Sequence, residues 1–167
     1  MVKKIQTVLV SVYNKEKILP LVSLLNEKNI KIISTGGTEK FLAQHNIPVI
    51  SVESITDYPS ILGGRVKTLH PKVFAGILQR SNNQDDLVDL RKFSISTIDM
   101  LIVDLYPFQE TLKQTKNHDE IIEKIDIGGV SLIRAAAKNY KEVLVVSSMD
   151  QLESVIELFH ETDGKIN

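Results

Sequence analysis

The sequence predicts an α/β domain of three layers: a doubly wound, mainly parallel central sheet with helices on both faces. Three observations predict it. The runs TVLVSV (7–12), KIIS (31–34), PVISV (48–52), IDMLIVDLY (98–106) and EVLVVSS (142–148) are short, β-branched and mostly apolar, the pattern of strands buried on both sides. Stretches with apolar residues at helical spacing separate them. Polar or glycine-rich turns such as SVYNK (11–15) and STGGT (34–38) stand where a strand hands over to a helix.

A first helix is expected from about Lys17 to Asn29, with Ile18, Leu21, Val22 and Leu25 on one face. Pro20 fits only within its first turn, where no N–H is needed. After KIIS and STGGT, a second helix covers EKFLAQHN (39–46). Residues 53–73 carry turn chemistry, punctuated by Asp57, Pro59, Gly63, Gly64 and Pro71. FAGILQ (74–79) is expected as a strand weakened by Gly76, and NNQDDLVDLRKF (82–93) as a helix with an Asn/Asp start. IDMLIVDLY is the strongest strand. One helix should follow it to about Lys124, then the turn IDIGG (125–129), the helix GVSLIRAAAKN (129–139), the strand EVLVVSS and a last helix from Asp150. Gly164 ends that helix, and GKIN reads as a truncation or a linker start with nothing packed beyond it.

At 167 residues, 43% hydrophobic and 25% charged, a single domain spanning 1–167 is expected. A net charge of −1 supplies no global field for nucleic acid or an anionic membrane, so neither is expected as a partner. Any anion affinity must be local. The lack of cysteine excludes disulfides, a thiolate nucleophile and cysteine-based metal centres, and no metal site is expected. MVKKIQTVLVSV is too short for a signal segment with a cleavage site, and no apolar run reaches membrane-spanning length. A cytoplasmic location fits both observations.

Ligands in doubly wound folds bind beyond the carboxyl ends of the strands. SVYNK, STGGT, the end of IVDLY, IDIGG and GGRVKT are all expected there. In STGGT, free backbone N–H groups flanked by the hydroxyls of Ser34, Thr35 and Thr38 at a helix start suit a phosphate. The same run also fits a plain turn with Thr38 as N-cap. Ser11, Tyr13, Asn14 and Lys15 stand at another strand end, although Asn14 also fits a helix cap and Lys15 a solvated charge. In GGRVKTLHP (63–71), extended backbone points Arg65 and Lys67 to one side. Two cations without a local carboxylate suit an anion, or else a solvated loop. His70 reads as scaffolding. Asp104 and Tyr106 alternate at the end of the central strand, where Tyr-Pro-Phe also fits simple packing. Asp126 precedes Gly128 and Gly129, whose N–H groups suit an oxyanion; Asp126 also fits a cap, and Lys138 a partner for the helix dipole.

SVYNK, STGGT, GGRVKTLHPKVFAGIL, DLYPF and IDIGGVSLIRAAAKNY follow the order and spacing of the bifunctional purine biosynthesis proteins, the AICAR transformylase/IMP cyclohydrolase enzymes. From about Thr7 to Ser148 the chain resembles their N-terminal cyclohydrolase domain, which has a methylglyoxal-synthase-like fold. The transformylase domain that follows in the family is expected to be absent here. The resemblance implies an enzyme of purine biosynthesis that closes 5-formamidoimidazole-4-carboxamide ribotide (FAICAR) to IMP and water. It implies Lys67, Tyr106, Asp126 and Lys138 as catalytic positions, with Lys138 moving the proton and Asp126 holding it. Lys67 and Tyr106, with N–H groups near Asp126 and Ile127, would polarise the formyl oxygen. Ser11, Tyr13, Asn14, Lys15, Ser34, Thr35, Gly36, Gly37 and Thr38 would take the 5′-phosphate and ribose. Arg65, Val66, Thr68, Val103, Asp104, Ile127 and Gly128 would complete the substrate contacts. The resemblance implies no cofactor for this step, 10-formyltetrahydrofolate belonging to the missing domain, and it implies a cytoplasmic homodimer.

Four positions depart from the family pattern. Tyr13 and Asn14 replace a Ser–Asp pair, Asp104 stands for Asn, and Phe74 stands for His. Two other classes remain in view. A methylglyoxal-synthase-like lyase would have little use for the long basic GRVKTLHP segment. A non-catalytic nucleotide- or phosphate-binding regulatory domain would need the phosphate turn but not the four catalytic positions together.

Overall fold

Neighbouring residues of a strand face opposite ways, so runs that are apolar at every position need cover on both sides. The computed structural model, which describes residues 3–166, provides it. The elements run β1 (Lys3–Lys4), β2 (Thr7–Ser11), α1 (Leu19–Glu27), β3 (Lys31–Ser34), α2 (Gly36–Gln44), β4 (Ile50–Ser51), α3 (Val52–Thr56) and α4 (Pro71–Leu78). There follow α5 (Gln84–Lys92), β5 (Met100–Val103), α6 (Phe108–Gln114), α7 (His118–Ile122), α8 (Gly128–Lys138), β6 (Leu144–Val146), α9 (Leu152–Thr162) and β7 (Lys165–Ile166). Five strands form one sheet in the order β4-β3-β2-β5-β6, and every neighbouring pair is parallel.

Strand alternation sorts the core into two halves. Val8, Val10, Met100 and Ile102 pack with Leu21 and Leu25 of α1, Leu42 of α2, and Val155 and Phe159 of α9. Leu9, Ile33, Leu101 and Val103 pack on the other face with Val73 and Ile77 of α4 and Leu132 and Ala136 of α8. The three-layer, doubly wound expectation holds. Pro20 lies in the first turn of α1, where its missing N–H breaks no bond. No helix of the described residues is long and apolar enough to cross a membrane.

Several elements differ from expectation. FAGILQ is not a strand but most of α4: the His70 side chain accepts from the Lys72 N–H and Pro71 opens the helix, so capping outweighs the β-like composition. PVISV shortens to β4, because the Ser51 side chain accepts from the Ser54 N–H and starts α3. The single helix expected to Lys124 is two, α6 and α7. Thr115 is extended, and Asn117 caps α7 through the Asp119 N–H. IDIGG follows a helix, as expected, that helix being α7.

The chain end also differs. β7 pairs antiparallel with β1, Ile5 N–H donates to the Gly164 carbonyl at 3.0 Å, and Ile166 packs against the core. Lys165 and Ile166 are thus part of the domain rather than a loose linker; Asn167, the last residue of GKIN, and Met1 and Val2 of the opening run lie outside the described residues.

Gly76 sits where α4 meets the approach to β5, its carbonyl accepting from the Ile98 N–H at 2.9 Å. A methyl added there would stand 2.5 Å from the Ser96 carbonyl oxygen, a backbone atom that cannot rotate away. Replacing Gly76 with Ala should cost about 1–3 kcal/mol of stability, read as a lower urea midpoint at unchanged slope.

Candidate active site

The strand order reverses between β2 and β5. β2 leads towards β3 and β4 on one side, and β5 towards β6 on the other. Beyond their carboxyl ends the two chains stay joined for one more step: Asp104 N–H donates to the Ser11 carbonyl at 3.2 Å, and Tyr13 N–H to the Asp104 carbonyl at 3.3 Å. Past that point they part, and a cavity of about 530 Å³ opens. This size falls within the range of small-molecule sites.

Fourteen of the residues expected at the site line this cavity: Ser11, Tyr13, Lys15, Thr35, Gly37, Thr38, Arg65, Lys67, Thr68, Asp104, Tyr106, Asp126, Ile127 and Gly128. Five more stand behind its wall. Ser34 is buried and donates its hydroxyl to the Val10 carbonyl at 2.8 Å. Gly36 holds a φ of +57°, which lets the chain turn from β3 straight into α2. Val66 closes a bridge with Ile61, Val103 belongs to the core, and Asn14 supports Asp104. These five shape the site and do not line it.

Lys138 lies apart. It is exposed in the last turn of α8 and is absent from the cavity wall. Ten residues of helix separate it from Gly128, roughly 15 Å at 1.5 Å per residue. The expected pairing of Lys138 with Asp126 therefore does not form within one chain, because a straight helix keeps its two ends apart.

Two helix N-termini open onto the cavity. α2 begins inside the glycines of STGGT, earlier than expected, with Thr35 rather than Thr38 as N-cap. Thr38 instead donates its hydroxyl to the Val12 carbonyl at 3.1 Å and accepts from the Val12 N–H at 3.3 Å, fastening α2 to the end of β2. The N–H groups of Gly36, Gly37 and Thr38 meet no protein acceptor among the described residues. Thr35 commits its single proton to Glu53, at 3.2 Å, so towards a ligand it can only accept. At the opposite wall Asp126 accepts the Gly129 N–H at 2.6 Å, which takes one of the two glycine N–H groups expected for an oxyanion. Those of Ile127 and Gly128 remain without a protein acceptor among the described residues. A methyl on Gly129 would fall 2.9 Å from both Asp126 carboxylate oxygens, so the glycine permits this cap.

The charges are unequal in their freedom. Arg65 pairs with Glu123, and Lys15 donates to the Tyr13 carbonyl at 3.2 Å. Lys67 makes no hydrogen bond or ion pair among the described residues; a methyl on Gly36 or Gly64 would stand 3.5 or 3.9 Å from its Nζ. An unpaired ammonium beside two glycine-rich turns and a helix N-terminus suits an anionic ligand. Beneath this loop, Lys72 bonds Asp57 at 2.8 Å and holds that carboxyl below its usual range, with a smaller effect from His70. His70 caps α4, the scaffolding expected of it.

Two departures from the family pattern turn out to be one. Asp104 Oδ2 accepts both the Asn14 N–H at 2.8 Å and the Asn14 side-chain amide at 2.7 Å. An amide donor thus faces a carboxylate acceptor across the two strand ends.

Sequence reasoning missed Ile122, Glu123 and Ile125 of the cavity wall. They sit in the α7 region, and only the break before α7 turns them inward; no local motif marks them. Gly63 and Gly64 also line it, and their place ahead of Arg65 was a usable signal.

A family model described as an MGS-like domain matches residues 17–131. Over 159 residues the chain is 50% identical to the bifunctional purine biosynthesis protein PurH of Bacteroides thetaiotaomicron, covering 95% of this chain and 31% of that one. It is 45% identical over 158 residues to the PurH of Clostridium acetobutylicum, covering 95% and 32%. The chain thus spans about a third of the length of these curated relatives. The crystal structure of ForH superimposes with a TM-score of 0.80 at 29% identity, over 95% of this chain and 82% of that one.

Replacing Asn14 with Asp should set two carboxylates against each other and cost about 1 kcal/mol of stability. Adding Asp104→Asn should restore most of it by reversing the pair. A double variant no more stable in urea than the single one would show that the pairing does not matter.

Proposed function

This chain belongs to the MGS-like domain family, and on that premise we propose that it is an IMP cyclohydrolase domain acting on FAICAR. The observation that carries the proposal is Lys67, unpaired among the described residues, in one cavity with Tyr106, Asp126 and the free N–H groups of Ile127 and Gly128. A lyase or a purely regulatory phosphate site has no evident need for that whole set.

In the proposed reaction the carboxamide nitrogen forms a bond to the neighbouring formyl carbon. The electron pair of the formyl C=O moves to oxygen, which takes the proton that the attacking nitrogen gives up. The closed ring then loses that oxygen as water, while a proton leaves the ring nitrogen and a C=N bond forms. Attack is intramolecular, so proximity supplies much of the rate. The site must stabilise charge on the formyl oxygen and carry protons. Lys67, the Tyr106 hydroxyl and the N–H groups of Ile127 and Gly128 suit the first task. Asp126 suits the second, since one of its oxygens caps α8 and the other is free to accept from the amide. The 5′-phosphate belongs at the N-terminus of α2 beside Lys15, and Asp104 faces the ribose as an acceptor.

Purified chain mixed with FAICAR should produce the ultraviolet spectrum of IMP without added cofactor. Tight IMP binding with no IMP formed would overturn the catalytic reading in favour of a binding domain.

Lys138 enters this scheme only from a second copy, because α8 holds it away from its own cavity. The enzyme is accordingly proposed to act as a homodimer in which the C-terminal turn of α8 from one copy completes the site of the other. Asp126→Asn and Lys138→Gln variants should each be inactive alone. Mixed and allowed to exchange subunits, they should regain about a quarter of wild-type activity, since half the dimers carry one intact site. No recovery despite verified exchange would place Lys138 outside the shared site.

A further inference from the structure

The end of α7 presents a lysine whose surroundings are unusual. Lys124 lies in a groove beside the cavity together with Glu110, Asp119, Glu120 and Glu123. It nevertheless forms no ion pair or hydrogen bond with any of them. Its ammonium stands instead 5.3 Å from the centre of the Tyr13 ring and 5.4 Å from that of Tyr106. The two rings meet edge to face, with centres 5.7 Å apart and planes at 70°. Both distances lie within the range at which a cation is drawn to a ring face.

We propose that Lys124 is a positioning residue: it clamps Tyr13 and Tyr106 and so fixes the Tyr106 hydroxyl over the cavity. This rests on the cyclohydrolase reading, in which that hydroxyl touches the formyl oxygen. The three residues come from three separate segments. Tyr13 follows β2, Tyr106 follows β5, and Lys124 lies two residues before Asp126. Neither tyrosine hydroxyl finds a protein partner among the described residues, and the two residues are 39% and 42% exposed. No hydroxyl bond therefore fixes either ring, and the cation they share is a contact able to orient both. The clamp also ties the wall that carries Asp126 to the wall that carries Tyr106. A serine at position 13 would offer no ring, and the clamp would lose one of its two faces.

The test uses the full chain with Lys124→Gln, Lys124→Arg and Tyr13→Ser. Held beside both rings, 5.3 and 5.4 Å from their centres, the side chain of Lys124 should show ε-methylene protons upfield of those of an exposed lysine, and Tyr13→Ser should move them back. Turnover of FAICAR should fall about tenfold in Lys124→Gln with KM within about twofold, and Lys124→Arg should recover most of it. Urea midpoints should match the wild type, which separates positioning from loss of fold. An ordinary lysine resonance in the wild-type chain would overturn the clamp. So would a Lys124→Gln defect confined to KM and erased by high salt, the mark of simple steering. If the wild-type chain makes no IMP, the reaction reading falls, while the resonance still decides whether the clamp exists.

Discussion

Two adjacent parallel strands, β2 and β5, lead into segments that must leave the sheet in opposite directions, and the gap left by their parting is the floor of the cavity. Everything around the site follows from that geometry. Parallel pairing brings all five carboxyl ends of the central sheet to one edge, so the turns after β2, β3 and β5 necessarily meet there. The crossover connections place α2 and α8 with their N-termini at the same edge. A domain of small net charge thereby concentrates free N–H groups and cations in one place.

Within that edge, the distribution of partners decides which groups remain available. Arg65 is occupied by Glu123, Lys15 leans on its own turn, and the Thr35 proton is committed to Glu53. Lys67 and the N–H groups of Gly37, Thr38, Ile127 and Gly128 are left over among the described residues. The leftover set has two poles, one at the glycine turn and one before α8.

Three of the positions that depart from the resembled pattern, Tyr13, Asn14 and Asp104, stand together in space. Asn14 and Asp104 pair amide with carboxylate across the parting strands, and Tyr13 beside them reaches Tyr106 and Lys124. Three of the four departures thus lie along one side of the cavity, while Phe74 lies apart from them in α4, packed against the core. STGGT and IDIGG keep the expected residues.

The sequence by itself determined the architecture and most of the cavity. Runs such as VLV in TVLVSV and MLIV are apolar at successive positions, the pattern of strands in a parallel sheet covered on both faces. Glycine-rich turns at strand ends then mark where a ligand site must lie. Local composition misread FAGILQ, because a cap at His70 and a close approach at Gly76 outweigh β propensity. It also misread the chain end, whose pairing partner lies at Lys3 and Lys4, more than 150 residues away. Only the tertiary structure decided which groups are free. Whether Lys67 is paired, which residues stand behind the wall, and that Lys138 lies a helix length from Asp126 all depend on distances between segments remote in sequence. Side-chain chemistry is written residue by residue, but the availability of a charge is a property of its neighbours in space.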